Sequence, residues 1–263
     1  MPRQLTYKEV LKLVRDYLEV AFHTLLYIRQ VYPAELFHQV KKYNVPVWQS
    51  RASPLNAYLG RVLECLHEEL DKGTIRRVIL VIKEATGDET PLERFVFEFE
   101  WLVPQRELPK DGDDFTPQKD GLAEGDIEPL FHACLLKLNL SQSLLKRLTQ
   151  EVTFAIILEM RDDAPPPESK AARAGHVPAE WIPAEQRQTG EEGGAGPGRG
   201  RRMGDIELSS TAPLETIGLG VLNMNMLVEE TADKFRTDDL LSSSGEVEFH
   251  AVQRDRKGKG RAY

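Results

Sequence analysis

At 263 residues with 41% apolar side chains, the chain is long enough to bury one sizeable core, or at most two small ones. Its formal net charge of −8 and pI near 5.4 exclude a whole-surface electrostatic grip on DNA, so any phosphate contact has to be local. No run reaches the ~18 consecutive apolar residues of a membrane span, the first residues carry no signal-peptide core, and Cys65 and Cys134 each sit in a helical apolar pattern, so the expectation is a soluble intracellular protein with buried thiols.

Thr6-Tyr7-Lys8-Glu9 fits a capping box, in which the threonine hydroxyl and the glutamate carboxylate take up free amides of a first helical turn. Tyr7, Val10, Val14, Leu18, Ala21, Leu25 and Ile28 then recur at helical spacing, while Val20, Phe22 and Leu26 put apolar side chains on other faces. A helix apolar on most sides is buried, so this one is predicted to run through the middle of the domain and to end before Pro33. The next stretch, "VYPAELFHQVKKYNVPV" (31–47), holds two prolines and the Lys41-Lys42 pair and reads as a helix end running into a loop.

A second helix is predicted after Pro54, striped by Leu55, Leu59, Val62, Leu66 and Leu70 and stopped by Gly73. The period then changes. "IRRVILVIK" (75–83) is β-branched and apolar, and "RFVFEFEW" (94–101) alternates, with Phe95, Phe97, Phe99 and Trp101 on one side. The turn-forming residues between them predict an antiparallel hairpin. Residues 104–125 read as loop, a third helix runs from near Asp126 to about Leu148, and "VTFAIILEM" (152–160) reads as a strand. Beyond Arg161 the composition turns to proline, glycine and charge, which cannot offset the roughly 1–2 kcal/mol of backbone entropy lost per ordered residue. Regular structure is expected again from Ile206, with Leu222, Met224, Met226 and Val228 on one side of a strand, before a polar tail ending in "RDRKGKGRAY". Helices and strands do not alternate strictly, which points to an α+β fold with helices on one face of an antiparallel sheet.

Equipment for chemistry is sparse. The six histidines pair neither with one another nor with a cysteine at metal-ligand spacing, and no serine or cysteine stands in a nucleophile motif. "GGAGPGRG" has neither a preceding strand nor a following helix, so it reads as linker rather than a phosphate loop. "GRGRR" and "KGKGR" are short basic clusters of the kind found in solvated tails or nuclear addresses. Trp181, in "PAEWIPAEQ", is a large indole in a stretch with almost no other bulky apolar residue, and either packs on its own domain or closes over a ligand.

"LEVAFHTLLYIRQVYPAELFHQVKKYNVPV" resembles the HORMA-domain family, through Tyr32-Pro33, Phe37 and Lys42-Tyr43. The continuation Asn44-Val45-Pro46-Val47 is most similar to the non-catalytic HORMA subunits of translesion DNA polymerase zeta. "LNAYLGRVLECL" (55–66), "RFVFEFE", "TFAIILE", "WIPAEQ" and "LVEE" carry the resemblance onward in the same order.

The resemblance implies a HORMA core over 1–161, and a C-terminal "safety belt" over 162–235 with a low-complexity insertion near 190–205. It leaves 236–263 as a disordered, basic-ended tail. It also implies that the protein is an adaptor rather than an enzyme, needing no cofactor or metal, that clasps a proline-containing peptide of the polymerase's catalytic subunit beside a sheet edge. Tyr58 and Trp181 match two aromatics of the family's peptide pocket, and Phe154 and Ile156 lie on the strand beside which the peptide runs. Thr211, Asn225 and Leu227 correspond to a second surface, for a Y-family translesion polymerase, and His132 replaces a basic residue used in HORMA–HORMA pairing. The expected location is the nucleus, with the cytoplasm second; neither a membrane nor strong direct nucleic-acid binding is implied. A spindle-checkpoint or meiotic-axis HORMA adaptor is the alternative within the fold, and an enzyme of unrecognised type the remote one.

Overall fold

In the computed structural model, which describes residues 3–87, 89–104, 107–108, 113–117, 121–161 and 207–235, the chain opens with helix α1 (Tyr7–Ile28). The capping box is formed: the Thr6 hydroxyl accepts the Glu9 N–H, and the Glu9 carboxylate accepts the Thr6 N–H at 3.0 Å. As its all-round apolar sequence requires, α1 is the central helix, with Tyr17, Leu18, Ala21, Phe22, Leu25 and Leu26 fully buried. Tyr17 lies against Phe131 at 4.7 Å and Phe97 at 6.5 Å and donates its hydroxyl to Met226 Sδ, so one side chain ties four elements together. Its burial pushes the phenol well above the ordinary tyrosine range.

Residues 37–50 correct the expected loop. They form a hairpin, β1 (Phe37–Lys42) against β2 (Val45–Ser50), turned by Tyr43 and Asn44 at φ 46° and 60°. Two successive positive φ values match the twist of flanking strands, so this two-residue turn suits a hairpin without any glycine. Phe37, Val45 and Val47 point inward, Pro46 points out, and Trp48 stacks on Tyr27 of α1 at 3.7 Å.

Helix α2 (Ser53–Asp71) ends at Gly73, whose φ of +64° reverses the chain into the sheet. A Cβ at this glycine would stand 2.2 Å from Leu108 Cδ1. Gly73→Ala therefore combines backbone strain with a clash, and the expected loss is about 1–3 kcal/mol in a denaturant melt. A loss within error would mean the turn relaxes freely.

The main sheet contains β3 (Ile75–Glu84), β4 (Pro91–Trp101), β5 (Val152–Met160), β6 (Leu208–Gly218) and β7 (Leu222–Thr231), in the order β5-β3-β4-β7-β6 and antiparallel throughout. Helix α3 (Ile127–Leu144) packs with α1 and α2 on one face, burying Phe95, Phe97 and Phe99 with Met224, Met226 and Val228. The alternation of β4 sends Val96 to the other face, where it joins Ile79 and Val81.

β5 ends at Met160, and β6–β7 then return to complete the same sheet on its far side. At that end Glu93 and Glu230 meet Arg29 and Lys234, and all four side chains are buried. Arg29 and Lys234 also donate to the Lys146 carbonyl, each at 2.9 Å, and Glu230 accepts from Lys146 N–H and the Ser210 hydroxyl. β5 ends beside Ile75, whereas β6 starts opposite Thr231, whose hydroxyl donates to the Pro91 carbonyl. Residues 162–206 thus join diagonally opposite corners of the sheet, roughly 35 Å apart from strand spacing and rise.

Candidate functional site at a sheet edge

The two outer strands differ in chemistry. β6 carries Pro213 and two register breaks, at Leu208/Ser210 and Pro213/Glu215, features that blunt an edge against further pairing. β5 pairs in continuous register with β3 from Arg77 to Glu84, contains no proline, and is apolar except for Thr153 and Glu159. Among the described residues no strand pairs with its outer side. A long, regular, apolar edge presents a row of unpaired amides and carbonyls, a template for an added strand.

Aromatic side chains gather at the start of this edge. Phe154 lies 5.9 Å from Tyr58 of α2 and 6.2 Å from Tyr32, both nearly perpendicular to it. Edge-to-face packing of this kind leaves ring faces available to a further apolar group. Tyr58 is 38% exposed, which is high for a large aromatic in contact with the core. Burial of its inner part raises the phenol pKa, Tyr32 adds to the rise, and the Arg61 charge opposes it.

Of the expected site residues, Tyr58 and Phe154 are therefore in contact. Ile156 shares the helix-facing side of β5 but is only 9% exposed, so it supports the site from below. Trp181 lies outside the described residues, as do the insertion at 190–205 and the tail. Tyr32 is the residue that sequence reasoning did not assign to the site. Its signal was the aromatic-proline pair Tyr32-Pro33: α1 ends at Ile28, the chain turns at Gln30 with φ 54°, and Tyr32 comes to lie beside β5.

Chain direction sets the shape of the groove. α2 turns through Gly73 into β3, and β5 runs antiparallel to β3, so α2 and β5 run the same way. At the far end Arg161 closes the corner, donating its N–H to the Thr74 carbonyl and its guanidinium to that of Gly73.

Thr211, Asn225 and Leu227 fall together on the helix-free face. Leu227 continues a cross-strand row from Ile157 through Ile79 and Val96 to Pro213. This row is flanked by Arg77 with Glu98 and Glu159, and by Arg94 with Glu229. His132 sits half-buried on α3 with Nδ1 3.0 Å from the Tyr43 carbonyl. Leu136, Leu140 and Leu144 follow it at four-residue steps and are 44%, 61% and 57% exposed.

Among the described residues no cluster of three or more His, Cys, Asp or Glu side chains could hold a metal ion, and no helix is long and apolar enough to cross a membrane. Neither cysteine is in a disulfide; Cys134 is buried and Cys65 half-buried.

Helices on one face of an antiparallel sheet, with one open edge and a C-terminal hairpin on the opposite side, define a class, and the family model for the HORMA domain matches residues 10–174. The chain belongs to the HORMA-domain family. It is 31% identical over 83% of its length to the human mitotic spindle assembly checkpoint protein MAD2B, covering 90% of that protein. It is 30% identical to the DNA polymerase zeta processivity subunit of Schizosaccharomyces pombe, over 69% of this chain and 80% of that one. Among solved structures, a chain of the mitotic checkpoint complex superposes with a TM-score of 0.60 at 20% identity, covering 84% of this chain and 97% of that one. Caenorhabditis elegans HTP-2 bound to a closure motif of HTP-3 superposes with a TM-score of 0.55 at 14% identity, covering 84% and 86%.

Proposed function

We propose that this chain is the non-catalytic HORMA subunit of a DNA polymerase zeta, an adaptor for translesion synthesis that holds a proline-containing segment of the catalytic subunit against β5. The observation that carries the reading is the open, proline-free β5 edge beside Tyr32, Tyr58 and Phe154. Main-chain hydrogen bonds to the edge supply affinity, and the aromatic cluster selects what lies beside it. Residues 162–235 act as the belt in this reading, with β6 and β7 within it and Trp181 as its aromatic anchor. The similarity to a polymerase zeta processivity subunit and to MAD2B proteins supports the assignment. The protein has no active site of its own and works in the nucleus, with the cytoplasm second.

Two further surfaces belong to the proposal. Thr211, Asn225 and Leu227 form the face for a Y-family translesion polymerase. The α3 face carrying His132 and the exposed leucines pairs with a second HORMA domain; apolar exposure at three successive turns supports that use.

The test is titration of the full chain with a synthetic proline-containing segment of the catalytic subunit, together with hydrogen exchange. Binding is expected to be tight, slow to release, and accompanied by selective protection of β5 amides. Binding that leaves β5 exchange unchanged, or no binding, overturns the reading.

A further inference from the structure

The aromatic site has one charged flank. Arg61 follows Tyr58 by three residues on α2, which places it on the neighbouring flank of the helix, about 4.5 Å further along the axis. It is exposed, and among the described residues no hydrogen bond or ion pair engages it. Its charge nevertheless acts on the Tyr58 phenol, so the two groups are close. The facing wall is apolar, with Phe154, Ile156 and Leu158 on the helix-facing side of β5 packed against the core. Glu159 is paired with Arg77 on the opposite face, Lys72 is paired with Glu69, and Glu64 is about 60° further round the helix, away from Tyr58; Glu68 shares the flank of Arg61 but stands about 10 Å further along the axis.

A strand added to β5 advances about 3.3 Å per residue and turns every second side chain towards α2. The shift from Tyr58 to Arg61 is therefore more than one residue and less than two. The side chain that first comes within reach of the long Arg61 stem is two positions from the one held against Tyr58 and Phe154. A guanidinium presents paired donors that fit a carboxylate, and the apolar wall removes part of the competing water.

Resting on the reading of β5 as a peptide-binding edge, we infer that Arg61 is a specificity-determining residue. It selects a bound segment with an aspartate or glutamate two residues from its aromatic-site anchor. A partly exposed pair of this kind changes affinity by about two- to fivefold.

The experiment displays twelve-residue peptides with one fixed proline and randomised flanks to the full-length chain and to full-length Arg61→Glu and Arg61→Gln. The parent should enrich Asp and Glu at one position, Arg61→Glu should enrich Lys and Arg at that same position, and Arg61→Gln should lose the preference. Synthetic peptides differing only there should then show the ratio of about two- to fivefold and its inversion. Peptides captured with no charge preference, or with a preference that Arg61→Glu leaves unchanged, overturn the role of Arg61 while leaving the edge as a binding site. Capture of no peptide by any of the three folded proteins overturns the peptide-binding reading itself, and this inference with it.

Discussion

Replacing Lys234 by methionine is expected to lower the stability of the folded protein by about 3–5 kcal/mol, the scale observed when one member of a buried ion cluster is removed. Glu93 is fully buried and Glu230 is 5% exposed. Without Lys234, Glu93 keeps the Arg29 guanidinium, but Glu230 keeps no cation and only the Lys146 N–H and Ser210 hydroxyl as donors. A denaturant melt measures the loss. The double variant Lys234→Met with Glu230→Gln should recover most of it, because removing a whole buried pair is close to neutral whereas orphaning one charge is not. A single-variant loss under ~1 kcal/mol would mean that water reaches the cluster. The pH dependence follows from Glu230. Burial raises its pKa, but the Lys234 ammonium and the donors Lys146 N–H and Ser210 Oγ outweigh burial and hold it below the ordinary 4.5. A depressed carboxylate contributes stability that is fully present above its unfolded value and lost as pH falls through the lower folded one. The parent should therefore resist acid to below pH 4.5, and Lys234→Met should begin to unfold at a higher pH.

The second large effect concerns binding. Tyr58→Ala is expected to weaken a peptide at the β5 edge at least tenfold, chiefly through faster dissociation, since a well-packed aromatic anchor contributes about 2 kcal/mol or more. Because Tyr58 is 38% exposed, the melting temperature of the free chain should change little. Phe154→Ala should weaken binding comparably but also reduce stability, as Phe154 packs on the core. Trp181→Ala, the expected belt anchor, should match Tyr58→Ala in both respects. Titrations and melts on the three variants separate these outcomes: a Tyr58→Ala protein that binds like the parent removes the aromatic cluster from the site, and a Trp181→Ala protein that binds like the parent removes the segment around Trp181 from the role of belt.

Strong periodicity made most elements legible. α1 and α2 are marked by leucine and valine stripes between a capping box and Gly73, and β4 and β7 by strict alternation. The β1–β2 hairpin was not, because its turn uses Tyr43-Asn44 rather than a glycine dipeptide, and Lys41, Lys42 and Pro46 interrupt the apolar pattern where the strands meet. Strand order was not legible either: β5 and β7 both read as apolar strands, and only the three-dimensional packing assigns them to opposite sides of the β3–β4 hairpin. The ion cluster draws Arg29, Glu93 and Lys234 from three distant parts of the chain, and in sequence each looks like a surface charge. At the candidate site, Tyr58 and Phe154 were reached through family resemblance, since helical spacing alone leaves Tyr58 an ordinary residue of α2.

The placement of β7 beside β4 also bears on how the chain is made. Phe97 pairs with Met226, and between β5 and β6 lie residues 162–206. At a synthesis rate of about 5–20 residues per second, several seconds pass between the emergence of β5 and that of β7. During that interval the nascent sheet β5-β3-β4 has two open edges, and the β4 edge offers Phe95, Phe97 and Phe99 on one side. A strand-forming segment from elsewhere can take the place meant for β7 before β7 exists. Newly made chains should therefore depend on a holding chaperone more than the finished protein does, and slower translation through 162–206 should lengthen that dependence.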